Sequence, residues 1–186
     1  MKAINKHQIE LCRKADSKTQ RLVFDVLYAP MFRICQRYLV HTALTEDCVL
    51  KGMMKMFQQI ESFVFEDEFS LFKWVRQIMV NEALMELRKK NNFYLMPEEN
   101  LPEIADQQDI LSSMQADDIN KLILQLPTGY RTVLNLFVVE GYSHKEIAEM
   151  LQIKESTSKT QYLKAKNKLK ELIQKEHGEL NGTFGE

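Results

Sequence analysis

The chain has 186 residues, 45% of them hydrophobic, and a formal net charge of −1, so it is long enough for one domain or two small ones with apolar cores. No apolar run approaches the ~20 residues that span a bilayer. The N-terminal segment is charged and amphipathic and does not resemble a signal peptide. We therefore expect a cytoplasmic protein without membrane insertion.

The N-terminal half, residues 1–91, is predicted to be an all-helical domain. Before residue 96 the chain has one proline, Pro30, and one glycine, Gly52. Apolar residues recur at steps of three and four, and no segment alternates as a strand does. The pattern predicts five helices, with apolar positions at Ile9–Cys12, Leu22–Leu27, Met31–Leu39, Val49–Ile60 and Leu71–Leu87.

The cysteines and histidines do not suggest a metal site. Cys12, Cys35 and Cys48 each lie inside an apolar helical pattern and are expected to be reduced core residues. None of them has metal-ligand spacing with another cysteine or a histidine. Because the chain also has no phosphate-binding glycine loop and no nucleophile motif, we expect neither an enzyme nor a cofactor.

Residues 61–90 combine aromatic and basic side chains. Such a mixture can hold unstacked bases, each stack being worth ~1–3 kcal/mol. Taken singly, an aromatic residue is more often part of a core, and Arg88 with the lysines after it also suits a helix C-terminus. The aromatic residues are Phe63, Phe65, Phe69, Phe72 and Trp74, and the polar candidates are Lys73, Arg76, Asn81 and Arg88.

An acidic stretch separates the two halves. Between residues 91 and 120 there are seven acids and no lysine or arginine, together with Pro97 and Pro102. We expect a flexible acidic linker at 92–116 that does not grip DNA phosphates. A second helical domain is predicted at 117–176 and a disordered tail at 177–186.

The segment from Glu140 to Leu169 predicts two helices around a tight turn. Ser143 and Glu146 have the spacing of a capping box at the start of the first helix. A helix-turn-helix places its second helix in the DNA major groove. The second helix is predicted to bury Leu163, Leu169, Leu172 and Ile173 and to expose Lys159, Lys164, Lys166, Lys168 and Lys170.

Positive charge is concentrated on this second helix. Residues 154–175 hold seven lysines against Glu155 and Glu171, a local net of +5 in a chain whose total is −1. A basic stripe of this kind is the footprint that phosphate binding requires. The alternative is a solvated lysine face on an all-α protein that does not bind nucleic acid.

In this order, these pieces resemble the extracytoplasmic-function (ECF) class of RNA polymerase sigma factors from about Ile9 to Ile173. The resemblance rests on two sets of short motifs, one in each half of the chain. In the N-terminal half they are Tyr28-Ala29-Pro30, Tyr38-Leu39, Asp47-Cys48-Val49, Trp74–Asn81 and Leu87-Arg88. In the C-terminal half they are Leu126-Pro127, Tyr130–Leu134, Glu140–Ser143, Glu146-Ile147-Ala148, Glu155-Ser156-Thr157 and Lys164-Ala165-Lys166.

The resemblance implies an all-α fold of two small domains, called regions 2 and 4, that binds core RNA polymerase and promoter DNA. Region 4 would read the −35 element through Ser156, Thr157, Lys159, Thr160, Gln161 and Lys164. Region 2 would capture the melted −10 element through the loop at 61–70 and through Lys73, Arg76, Asn81 and Arg88. Asp47, Lys51 and Lys55 would contact the polymerase. An anti-sigma factor is a further possible partner.

Several residues depart from the pattern of this family, among them Leu50, Lys51, Phe69, Leu71 and Met85. Four others affect local structure. Gly52 replaces a branched apolar residue, and Gln152 stands where the turn normally has glycine. Lys154 takes the place of a serine cap, and Ser158 that of a buried valine. If Gln152 is left-handed, it would cost about 1–2 kcal/mol.

Two other functions compete with this interpretation. A helix-turn-helix regulator of the response-regulator type would need a receiver domain with alternating strands and helices, which the N-terminal half does not predict. A helical interaction or RNA-processing protein would have basic faces that are only solvated.

Overall fold

The computed structural model describes residues 4–89 and 116–182; for residues 116, 117 and 177–182 it describes the backbone only. The chain divides into two compact units, Met1–Lys90 and Asn91–Glu186. All regular elements of the described residues are helical, which confirms the predicted all-α fold class. The acidic linker predicted at 92–116 lies almost wholly outside the described residues, and the predicted domain boundaries there stay a prediction.

The first unit is a helical bundle whose three long helices pack on one another. The short first helix packs on the second. Tyr38, Met53 and Met79 are among its largest fully buried side chains. The helices are α1 (Lys6–Arg13), α2 (Ser17–Leu39), α3 (Thr42–Gln59) and α4 (Glu68–Lys89).

Helix α2 is a single helix, so the two helices predicted on either side of Pro30 are wrong as separate elements. Pro30 lies inside α2 and supplies no N–H to the helix. Leu27 and Met31 on either side of Pro30 are both buried, and α2 packs along α3 and α4. This tertiary packing offsets the lost hydrogen bond and keeps the helix continuous.

Gly52 lies where α3 and α4 cross closely. A Cβ built at Gly52 would lie 2.4 Å from Met79 Sδ and 2.8 Å from Met79 Cε. The space that a branched residue would fill is therefore occupied by the buried Met79 of the partner helix. The position of Met79 therefore explains why glycine stands at residue 52, where a branched apolar residue is usual in the family that the sequence resembles.

The described part of the second unit, residues 116–182, consists of four α-helices and one π-helical turn. Its core centres on Leu126, Leu134 and Ala165, with partly buried aromatic and aliphatic residues around them. Arg131 is buried as well. Its Nη1 donates to the carbonyl of Leu126 at 2.6 Å, and Leu126 directly follows the first helix of this unit. The elements are α5 (Ala116–Gln125), α6 (Thr128–Leu134), the π-helical turn (Asn135–Val139), α7 (His144–Leu151) and α8 (Glu155–Gly182).

Helix α8 differs from its prediction in two ways. Leu163 is 46% exposed rather than buried, because the side that packs on the unit's core runs through Ser158 and Ala165 instead. The helix also continues to Gly182, past the start predicted for the tail at residue 177. Residues 177–182 contain no proline that would interrupt the helix, although Gly178 lies within it.

Candidate nucleic-acid interface

The first half of α8 presents a polar face to solvent. Ser156 and Lys159 are exposed and Thr160 is partly exposed, all on one side of the helix. Lys159 Nζ forms an ion pair of 2.7 Å with Glu155 Oε1, while its side chain stays 61% exposed. Thr157 is partly buried at the edge of this face. Ser156, Thr157, Lys159, Thr160 and Leu163 form one face of α8 that is open to solvent, and we name it the −35 face after its predicted role.

Leu163 is an apolar side chain in the middle of that polar face. It lies three residues after Thr160 and four after Lys159, the spacing at which helix side chains are neighbours, and it is 46% exposed. Sequence analysis missed it as a surface residue because leucine at helical spacing normally predicts a core position. In a major groove, an exposed apolar side chain can contact the thymine methyl group.

Two residues predicted for this face point into the domain instead. Gln161 is 4% exposed and Lys164 is 5% exposed. A Cβ built at Gly129 of α6 would lie 3.1 Å from Gln161 Oε1, so this side chain packs against α6. Burial therefore removes the side chains of Gln161 and Lys164 from the exposed face.

The two helices of the helix-turn-helix are joined by a polar and aromatic contact. His144 Nδ1 and Ser158 Oγ share a hydrogen bond of 2.9 Å. The imidazole also stacks on Phe137 of the π-helical turn, with centroids 4.4 Å apart and planes 9° apart. Tyr162 of α8 packs near both rings. Burial, with Lys159 nearby, lowers the pKa of His144.

The start of α7 and its end confirm two local expectations. Ser143 Oγ accepts from the Glu146 N–H at 3.3 Å, and Glu146 Oε2 accepts from the Ser143 N–H at 2.8 Å. These hydrogen bonds are the predicted capping box. Gln152 after the helix is left-handed, with φ 56° and ψ 44°. The turn thus has the conformation that usually selects glycine.

A second polar row lies along α4. Lys73, Asn81 and Arg88 are exposed and, with Gln77, recur at steps of four, four and seven, so they share one side of the helix. Gln77 Nε2 donates to Asn81 Oδ1 at 3.3 Å. Arg76, the fourth predicted residue, is partly buried beside this row. Sequence analysis missed Gln77, although the four-residue spacing contains it.

The loop before α4 holds part of the predicted aromatic cluster. Phe63 stacks on Trp74, with ring centroids 4.4 Å apart and planes 12° apart, and Phe65 meets Phe63 edge-on. The rings of Phe63, Phe65 and Trp74 therefore pack against one another. Val64 is 75% exposed and Phe69 is 74% exposed, so the loop and the first turn of α4 present two large apolar side chains to solvent.

The start of α4 fixes the end of this loop. Asp67 Oδ1 accepts from the Ser70 N–H at 2.7 Å, and Ser70 Oγ accepts from the Asp67 N–H at 3.2 Å. These bonds satisfy backbone donors that the first turn of a helix leaves unpaired. Phe69 is therefore held on an ordered helical turn.

The outer side of α3 carries the residues predicted to contact polymerase. Asp47 is exposed, but Lys51 Nζ binds Glu86 Oε1 at 2.9 Å and Lys55 Nζ binds Glu82 Oε1. The hydrogen bond between Lys51 and Glu86 raises the pKa of Lys51 and lowers that of Glu86. Leu50 and Met54 lie on the same outer side, 46% and 62% exposed.

The described part of the chain has neither a cluster of metal-binding side chains nor a helix suited to a membrane. In residues 4–89 and 116–182, histidine, cysteine and acidic side chains form no group of three or more that could hold a metal ion. Within the same ranges, none of the helices combines the length and apolar character needed to cross a membrane.

Comparison with known families assigns both units. Residues 116–169 match the family model of sigma-70 region 4, and residues 23–93 match that of sigma-70 region 2. The curated relatives of the chain include ECF sigma factors. The chain belongs to the ECF RNA polymerase sigma factors. It is therefore a non-catalytic subunit that directs promoter recognition by RNA polymerase, which confirms the predicted function. Core RNA polymerase and promoter DNA are its partners.

Curated relatives resemble this sigma factor over most of their length. ECF sigma factor SigW of Bacillus subtilis is 27% identical, and the match covers 93% of this chain and 98% of SigW. ECF sigma factor SigM of Mycobacterium tuberculosis is 26% identical over 82% of this chain and 78% of SigM. Among solved structures, RpoE from Bartonella quintana, crystallised with the anti-sigma factor NepR, has a TM-score of 0.49 at 20% identity and covers 83% of this chain and 96% of RpoE.

Proposed function

We propose that this sigma factor recognises promoters through two separate surfaces, the −35 face of α8 and a −10 surface on the first unit. The −10 surface is the row Lys73, Gln77, Asn81 and Arg88 of α4 with the loop at 61–67 and Phe69. The observation that carries the proposal is this exposed row, together with the exposed apolar side chains of Phe69 in the first turn of α4 and Val64 in the loop before it.

At the −35 element, Ser156, Thr157, Lys159 and Thr160 are proposed to contact DNA. The ammonium group of Lys159 suits a phosphate, and the hydroxyl groups suit phosphate or base edges. Leu163 is added because it is exposed within the same face. Gln161 and Lys164 are removed from the proposal, since both side chains are buried against their own domain.

At the −10 element, the row on α4 is proposed to follow the backbone of one strand. From Lys73 to Arg88 the helix rises about 22 Å, the length of several nucleotides. Phe69 and Val64 supply apolar surface on which an unstacked base can rest. Because such a base is available only in melted DNA, its binding shifts the promoter toward the open state.

Polymerase docking is proposed for the outer side of α3. Asp47 remains a candidate because it is exposed, and Leu50 and Met54 join it as exposed apolar side chains. Lys51 and Lys55 are proposed to act mainly within the fold, because their ion pairs with Glu86 and Glu82 join α3 to α4. Apolar anchors at the centre of an interface usually carry most of its binding energy.

Two further proposals follow from family membership. We place the protein in the cytoplasm, where a transcribing polymerase and the chromosome are found. An anti-sigma factor that masks one of these surfaces is a possible partner, and co-purification from cells without added core polymerase tests it.

The experiment for the two-surface proposal uses the full chain with core polymerase. Promoters are mapped by run-off transcription of a genomic library, and one promoter is rebuilt as a −35 duplex and as a fork with a single-stranded −10 element. Variants Asn81→Ala and Arg88→Ala should weaken fork binding and leave duplex binding unchanged. Equal losses on both DNAs, or none on either, would contradict the assignment of α4 to the −10 element.

A further inference from the structure

Arg13, the last residue of α1, contacts the loop that precedes α4. Its Nε donates to the carbonyl of Ile60 at 3.2 Å, and its Nη2 donates to the carbonyl of Phe63 at 2.5 Å. Its Nη1 binds Glu10 Oε1 at 2.7 Å. The guanidinium group therefore joins α1, the end of α3 and the loop, and its side chain is only 27% exposed.

The two carbonyls lie at a place where the backbone has few partners of its own. Ile60 follows the last residue of α3, and the last carbonyls of a helix lack partners within the helix. Phe63 lies in the loop, which contains neither glycine nor proline to set its conformation. A planar guanidinium can donate to two acceptors at once, whereas an ammonium is a single point.

Arg13 and Trp74 both contact Phe63. The backbone of Phe63 accepts from Arg13, while its ring stacks on Trp74 of α4. With both parts of Phe63 fixed, the next residue, Val64, is directed outward and is 75% exposed. The loop is thus fixed next to the apolar surface proposed to receive an unstacked base.

We propose that Arg13 is a positioning residue for −10 strand capture: it sets the loop at 61–67 so that Val64 and Phe69 meet an unstacked base. This inference rests on the proposed function of the −10 surface. Arg13 does not touch DNA in this scheme and acts through the backbone of Ile60 and Phe63. Its effect should therefore appear in base capture and not in duplex binding.

The variant Arg13→Lys separates positioning from charge. Lysine keeps the positive charge and can still pair with Glu10, but it cannot reproduce the fork that reaches both carbonyls. The matched control is Arg21→Lys on α2, where the arginine pairs with Asp25 at 3.0 Å and is 76% exposed. Circular dichroism and thermal unfolding of each variant report any loss of folding.

The test uses the full chain bound to core polymerase and a fork promoter with 2-aminopurine at each −10 position in turn. An unstacked 2-aminopurine fluoresces, so the signal reports capture of a base. Lysine cannot reach both carbonyls, so Arg13→Lys loses at least one hydrogen bond that a charged group makes to the loop. The variant should therefore weaken capture by about tenfold. Arg21→Lys should match wild type, and duplex binding should be unchanged in both variants.

The outcomes separate this inference from the function on which it rests. If wild type gives no fluorescence change at any −10 position, the proposed −10 surface fails. If wild type gives the change and Arg13→Lys gives the same signal and affinity, Arg13 has no positioning role. Equal weakening of duplex and fork binding by Arg13→Lys also overturns the inference, because it indicates a general loss of folding.

Discussion

His144 Nδ1 and Ser158 Oγ lie 2.9 Å apart and join the two helices of the helix-turn-helix. Ser158 is fully buried at a position where a valine is usual in this family. A buried hydroxyl without a partner would cost free energy. The imidazole of His144 supplies that partner, so the two residues are best understood as a matched pair that replaces an apolar contact.

This pair makes the second unit sensitive to pH. Burial and nearby Lys159 lower the pKa of His144 from 6.5, while Glu155 on α8 opposes them. The folded state therefore binds fewer protons than the unfolded state below pH 6.5, and stability falls as pH drops from 6.5 toward the folded pKa. Hydrogen exchange of the Ile147 and Leu151 amides should accelerate over this range, after correction for intrinsic exchange.

The variant His144→Gln tests the cause of that dependence. Glutamine can still bond Ser158 but does not titrate, so the pH dependence between 6.5 and the folded pKa should disappear. His7→Gln, at an exposed position of α1, is the control and should leave it intact. A wild-type dependence that survives in His144→Gln would show that another group is responsible.

Gln152 is predicted to be a weak point in the turn. It has φ 56°, a conformation that glycine adopts without the steric cost that other residues bear. Gln152→Gly should stabilise the second unit by about 1 kcal/mol, measured by urea dependence of amide exchange in α7. Gln152→Ala keeps the strain and should give no such gain. Destabilisation by glycine would mean that the Gln152 side chain makes a stabilising contact.

Lys159 and Lys168 form a matched pair for testing phosphate contact. Both are exposed lysines of α8 in surface ion pairs, but Lys168 lies outside the −35 face. Log affinity falls with log salt concentration, and the loss of one phosphate contact makes this slope shallower by about 0.9. Lys159→Ala should show this change on −35 duplex with the polymerase-bound protein, and Lys168→Ala should not. Equal slopes for the two variants would contradict the orientation of α8.

Leu163 is expected to recognise a thymine methyl group. Leu163→Ala should weaken −35 binding by about 1 kcal/mol or more on DNA that has thymine at the contacted position. Replacing each −35 thymine in turn by deoxyuridine removes only the methyl group. At the thymine that Leu163 contacts, the replacement should lower the affinity of the wild-type protein and leave that of Leu163→Ala unchanged. Additive losses at every position would exclude a direct contact.

Local interactions were predictable from the sequence. The Ser143 and Glu146 capping box depends on residues three apart, so their spacing alone predicts it. The left-handed Gln152 follows from the same helix end, where the family pattern has glycine. The positions of Lys73, Asn81 and Arg88 on one side of α4 also follow from helical spacing, since few other constraints act on an exposed face.

Tertiary contacts could not be predicted in the same way. Gln161, Leu163 and Lys164 lie within four consecutive residues, and which of them faces the core depends on how α8 packs against α6. Polar residues at 161 and 164 looked like surface residues, yet packing on Gly129 buries Gln161. Arg13 contacts carbonyls 47 and 50 residues away. Every residue has a backbone carbonyl, so the residue types at 60 and 63 do not indicate that Arg13 contacts them.

Run-off transcription from a mapped promoter tests the central claim most directly, because it requires polymerase binding and both DNA contacts together. Core polymerase with this protein should start at one site that core polymerase alone does not use. Lys159→Ala and Asn81→Ala should each reduce that transcript. The defect of Asn81→Ala should persist on a template already melted at −10, because Asn81 is proposed to bind the melted strand itself. Failure of the wild-type protein to direct any specific start, or full relief of Asn81→Ala by the melted template, would contradict the account.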